Sequence, residues 1–125
     1  MLATSLQVAL GGALGATLRW GLGLAIPARA APGGLPLPVL TANVLGSAAM
    51  GAFVVWAART GHAHWQPFVM TGVLGGFTTF SAFSLETVAL IERGQAGLAA
   101  LYVLLSVALS VGGLALGAAL MRAAA

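Results

Sequence analysis

Polar side chains are so sparse along this chain that four apolar runs stand clear of one another, over about 2–24, 39–58, 67–91 and 98–121. A helix rises about 1.5 Å per residue, so about 20 apolar residues cross a hydrocarbon core about 30 Å thick. Each run is therefore read as a membrane-spanning helix, and residues 1–125 as a single all-α domain of four transmembrane helices. Pro27, Pro32, Gly33, Gly34, Pro36 and Pro38 make the first connection a loop. Arg59-Thr60-Gly61-His62 closes the second run, and Trp65-Gln66-Pro67 opens the third, with Pro67 suited to a first helical turn. Glu92-Arg93-Gly94 turns the chain into the fourth run, which Arg122 follows. An even number of crossings puts both termini on one side.

Composition excludes several classes. Hydrophobic residues make up 60% of the chain and charged ones only 6%, against about 25% charged in a soluble domain. A water-soluble globule is ruled out. The net charge of +3 comes from five Arg and no Lys, scattered singly, so no nucleic-acid partner is expected. With no Cys there is no disulfide or thiolate metal site, and the first twenty residues lack the basic n-region of a cleaved signal. The only carboxylates are Glu86 and Glu92, so no set of nucleophile, base and orienting group can be assembled. The chain is read as a non-enzyme.

Loop charge sets orientation, and here it is balanced, with Arg29 and Arg93 on one side and Arg59 and Arg122 on the other. Two readings stay open: insertion both ways up, with opposed copies pairing as an antiparallel dimer, or one orientation chosen by weaker cues. Small residues four apart, at Gly11 and Gly15, Ser47 and Gly51, and Gly113 and Gly117, favour close helix approach.

The third span differs from the others. Residues 72–83 read Gly-Val-Leu-Gly-Gly-Phe-Thr-Thr-Phe-Ser-Ala-Phe, with paired Gly and paired Thr in mid-span. Gly costs about 1 kcal/mol against Ala in a helix, and Thr loses side-chain freedom there. A break at this depth is tolerated only where freed backbone groups meet protein, water or an ion, so it points to a binding site. The alternative is a kinked structural helix.

Neutral donors gather in the same region. Asn43 and Ser47 lie one turn apart on the second span, and Tyr102, Ser106 and Ser110 make a hydroxyl stripe on the fourth. Each Ser can either serve that track or bond its own i−4 carbonyl. Phe77, Phe80 and Phe83 recur every three residues among Thr78, Thr79, Ser81 and Ser84. Aromatic ring edges carry positive quadrupole and suit a small anion, while core packing is the plainer reading. Arg19 and Glu86 are the charges inside spans and are read as neutralising each other structurally, with snorkelling the competing reading for Arg19. His62 and His64, without a nearby carboxylate, read as a solvated loop.

Three segments together carry a resemblance to the Fluc/CrcB family of fluoride ion channels over nearly the whole chain. Gly11 to Trp20 (GGALGATLRW) resembles the family's first-helix signature, Ala42 to Ser47 (ANVLGS) its second-helix Asn motif, and Gly75 to Glu86 (GGFTTFSAFSLE) its third-helix motif. The resemblance implies a broken third helix and an antiparallel, dual-topology homodimer in a membrane lipid bilayer, typically a prokaryotic inner membrane. It implies two pores for passive fluoride export, which protects the cell from fluoride. It further implies a structural Na+ held at the dimer centre by the backbone carbonyls of Gly75 and Thr78, and a pore lined by Asn43, Phe80, Ser81, Phe83, Tyr102, Ser106 and Ser110. The chain departs from common family residues at Trp20, Pro38, Val39 and Ala82, and Leu114 ends the stripe where some members continue it. A rival class is the small dual-topology proton-coupled multidrug exporter, which needs an embedded carboxylate, and Glu86 is its one candidate here.

Overall fold

A computed structural model describes residues 1–27 and 31–124. Arg29, counted above on one side of the membrane, lies outside the described residues. Helix α1 is Leu2–Ala25 and α2 is Leu37–Thr60, with Pro38 in the first turn of α2. Helix α3 covers 67–77, α4 is Phe80–Glu92 and α5 is Ala96–Ala123. The four runs are therefore long enough and apolar enough to cross a membrane, with α3 and α4 together making the third crossing. Gly61, at φ 72°, ends α2 in the left-handed conformation that glycine adopts without steric cost.

Helix pairs, not a soluble-type core, organise the chain. In α1 against α3, a Cβ at Gly11 would run into the Phe68 carbonyl oxygen and the Gly72 Cα, and one at Gly15 into the Val73 carbonyl. In α2 against α5, Gly51 faces the Leu114 carbonyl and Gly117 the Ala48 carbonyl. Backbones meet directly at these points, which is how membrane helices gain packing where lipid and leucine are equally apolar. Gly113 lies at Val44 and Gly117 at Ala48, so numbering rises together and α2 and α5 run parallel. At the other end of that pair, Leu40, Leu90, Ala99 and Tyr102 form a buried cluster that ties α4 to α2 and α5. Leu6, Leu10, Leu14 and Leu18 make an exposed ridge along α1, as a lipid-immersed surface permits.

The third crossing has two departures from regular helix. Pro67–Leu74 winds in wide π turns, and the Gly75 N–H closes that stretch by donating to both the Gly72 and Met70 carbonyls. Apolar periodicity gives no sign of such turns, which recur at functional positions. After Phe77, Thr78 (φ −86°, ψ 158°) and Thr79 (φ −154°, ψ 127°) are extended before α4 begins at Phe80.

Candidate functional site

The extended pair at Thr78–Thr79 is held from α2. The Thr79 N–H donates to Asn43 Oδ1 at 2.8 Å, and Asn43 Nδ2 donates back to the Thr79 carbonyl at 3.0 Å. One amide side chain thus takes the place of a lost stretch of helical ladder. Thr79 also caps α4, its Oγ1 accepting from the Ala82 N–H at 3.1 Å. A Thr followed by an apolar run is an N-cap signal, so this role was readable from the sequence, whereas the pairing with Asn43 needed the fold. Gly46, one turn along α2, leaves room for the Thr78 methyl, which a Cβ at 46 would strike.

A helix end leaves its last four carbonyls without intrahelical donors. The Thr79 N–H goes to Asn43 and not to the Gly75 carbonyl four residues back, and the Ala82 N–H goes to Thr79 Oγ1 and not to the Thr78 carbonyl. The Gly76 carbonyl is taken by Arg19, whose Nε lies 3.3 Å away. One of the five guanidinium N–H donors of Arg19 thus serves the backbone beside the break, a partner that the sequence reading, neutralisation by Glu86, did not include. Gly75 is exposed and Thr78 partly so.

Beside the break lies a cavity of about 530 Å³ between α2, α4 and α5. Asn43 and Ser47 face it from α2, Gly75, Thr78 and Thr79 from the break, Phe80 and Phe83 from α4, and Ser106 and Ser110 from α5. Met50, Val107, Val111 and Leu114 complete its apolar wall, a contribution that residue chemistry alone does not announce. Phe80 and Phe83 are 5.4 Å apart between ring centroids, and Phe83 is 5.3 Å from Tyr102.

The hydroxyls of Ser106, Ser110 and Tyr102 are buried and have no hydrogen-bond partner among the described residues. Elsewhere Thr17, Thr78, Ser84 and Thr87 do bond the carbonyl four residues back. The alternative left open for the stripe, that each Ser satisfies itself within its own helix, is therefore not what the fold adopts. A buried, unpaired hydroxyl costs about 1–3 kcal/mol, so three in a row on one helix face call for a ligand or water.

Not every sequence-selected residue lines this cavity. Tyr102 is fully buried, at 0% exposure, in the cluster with Leu40, Leu90 and Ala99. Ser81 is exposed outside it, with its Oγ 3.2 Å from Thr79 Oγ1, and Phe80 is 79% exposed beside it. Glu86 is half-buried on α4 and does not line the cavity.

Fold and cavity define a small multi-pass membrane protein with uncharged donors gathered at mid-membrane. The chain belongs to the CrcB family: a family described as "CrcB-like protein, Camphor Resistance (CrcB)" matches residues 6–118. It is similar to "Fluoride-specific ion channel FluC" of Ruegeria sp. (strain TM1040), 62% identical over 117 residues that cover 94% of this chain and 93% of the relative. It is likewise similar to the protein of the same name from Roseobacter denitrificans, 63% identical over 88% of each chain. The one from Cereibacter sphaeroides (strain ATCC 17029 / ATH 2.4.9) is 53% identical over 98% of this chain and 97% of its own. These relatives are named as ion channels, so the chain is a membrane transport protein and not an enzyme.

Proposed function

We propose that this chain is a fluoride-selective channel that exports fluoride passively across a prokaryotic inner membrane and so protects the cell from it. The observation that carries the reading is the buried hydroxyl stripe of Ser106 and Ser110, unpartnered among the described residues, on the same cavity as Asn43, Phe80 and Phe83. Fluoride is small and strongly hydrated, and an ion leaves water only where donors replace it. Hydroxyls, an amide N–H and aromatic edges supply that replacement without a fixed cation that would trap the anion. An interior-negative potential drives an anion outward by about 2.3 kcal/mol per charge per 100 mV, so no fuel site is required. In this reading Ser81 and Tyr102 extend the path on either side of the cavity. Proton-coupled export needs a carboxylate where the cargo binds, and Glu86 lies off the cavity.

The working unit in this proposal is an antiparallel, dual-topology homodimer. Support comes from the balanced loop charges and from Gly75, Phe80 and Ser81, which stand exposed at the break where a second copy would cover them. Two opposed breaks would bring the Gly75 and Thr78 carbonyls of both copies together, and four carbonyl oxygens suit a hard monovalent cation such as Na+. That ion would supply positive charge joining the two copies. Because the chain has no Cys, a single Cys at exposed Ala63 reports topology cleanly. About half of Ala63→Cys molecules are expected to react with an impermeant maleimide from outside intact cells, as equal insertion requires. Labelling of nearly all or nearly none would contradict dual topology.

Ser106→Ala tests the reading itself. Removing an unpaired hydroxyl takes away a burial cost of about 1–3 kcal/mol, so the variant is expected to melt no lower than the parent yet to pass fluoride more slowly. A variant that conducts like the parent would remove the stripe from the pathway.

A further inference from the structure

Ser47 is a hydroxyl on the cavity wall that the conduction path described above leaves without a task. It lies one turn beyond Asn43 on α2, faces the same space, and has no hydrogen bond among the described residues. It therefore differs from Ser5, Thr17, Thr60 and Ser84, each of which returns to a carbonyl of its own helix.

The hydroxyl stripe of α5 stops at Ser110, because the next position on that face is Leu114, which also lines the cavity. One turn of helix advances about 5.4 Å, so an anion moving past Ser110 toward the Arg59 and Arg122 end meets no donor from α5 for at least that distance. Register across the parallel α2–α5 pair, fixed by Val44 at Gly113 and Ala48 at Gly117, sets Ser47 within one turn of Leu114. The opposite wall thus offers a hydroxyl at the level where α5 offers a methyl-tipped side chain.

We propose that Ser47 is an anion-binding residue of this cavity, supplying from α2 the donor that Leu114 withholds on α5. The proposal rests on the fluoride-channel reading and deepens it. A donor lost from the path of a partly dehydrated anion is not replaced by the apolar groups around it, so its removal raises the barrier at that point.

The test compares fluoride efflux from liposomes for four purified dimers: the parent, Ser47→Ala, Leu114→Ser and the double variant, each checked for dimer assembly by size-exclusion chromatography. Ser47→Ala is expected to slow efflux by about tenfold, the loss typical of one hydrogen bond to a charged partner, and Leu114→Ser alone by no more than about twofold. In the double variant the hydroxyl is moved across the cavity, and efflux is expected within about threefold of the parent. A merely structural role for Ser47 predicts no such rescue. A parent that conducts while Ser47→Ala conducts equally fast, or a double variant as slow as Ser47→Ala, overturns the proposal and leaves the channel reading standing. A parent that releases no fluoride overturns that reading first, and this one with it.

Discussion

Asn43→Asp is expected to stop most fluoride flux at neutral pH while leaving the protein folded. Asp keeps an acceptor for the Thr79 N–H, so half of the reciprocal pair survives, but it loses the donor to the Thr79 carbonyl, which now stands 3.0 Å from the amide nitrogen. It also puts a negative charge on the cavity wall. Two unit charges 4 Å apart interact by about 4 kcal/mol at an effective dielectric near 20, which corresponds to a flux reduction on the order of a hundredfold or more. The sign of the pH dependence follows. Protonating the carboxyl removes the charge and restores an O–H donor toward Thr79, so flux through the variant rises as pH falls from about 7.5 to about 5.5, well toward the carboxyl range. Protein-free liposomes correct for hydrogen fluoride that crosses lipid unaided. Flux equal to the parent's at neutral pH would remove Asn43 from the pathway and leave it as a backbone clamp alone.

The second large effect concerns stability. Gly51→Val is expected to yield no correctly folded protein, because any Cβ at 51 runs into the Leu114 carbonyl and α2 can reach that distance from α5 only with glycine there. Backbone cannot yield as a flexible side-chain tip can, and interiors packed at crystal density have no slack to absorb the displacement. The loss should exceed the 1–3 kcal/mol typical of overpacking. Gly23→Ala is the control: nothing lies within 4 Å of a Cβ there, and alanine gains up to about 1 kcal/mol of helix propensity over glycine. Yield of monodisperse protein and its thermal midpoint read both variants. A well-folded Gly51→Val would contradict the helix packing described.

How legible this molecule is from sequence differs from one level to the next. The four spans emerge from apolar runs within about four residues of their ends, because a membrane filters chains by length and hydropathy before packing matters. Gly15, Gly51 and Gly117 stand out by spacing, and each proves to sit at a backbone contact. Gly113 is looser, with the Val44 carbonyl 3.4 Å from an added Cβ. The paired Gly and Thr of 75–79 mark a weak stretch of helix, and it takes coordinates to see that only Thr78 and Thr79 are extended. What remains invisible in the sequence is partnership between distant segments. Arg19 finds the Gly76 carbonyl and Asn43 finds Thr79, at separations of 57 and 36 residues. No periodicity encodes such pairs, and for Arg19 the sequence offered only the opposite charge of Glu86, not the carbonyl of Gly76. The π turns of Pro67–Leu74 are equally silent, since an apolar run satisfies lipid however it winds.

Fluoride efflux from liposomes holding only this purified protein, read with a fluoride electrode in the presence of sodium and with chloride as the comparison ion, tests the central claim most directly. Fast fluoride release with no accompanying chloride release is the predicted result. Folded protein that releases neither ion, or both equally, would contradict a fluoride-selective channel.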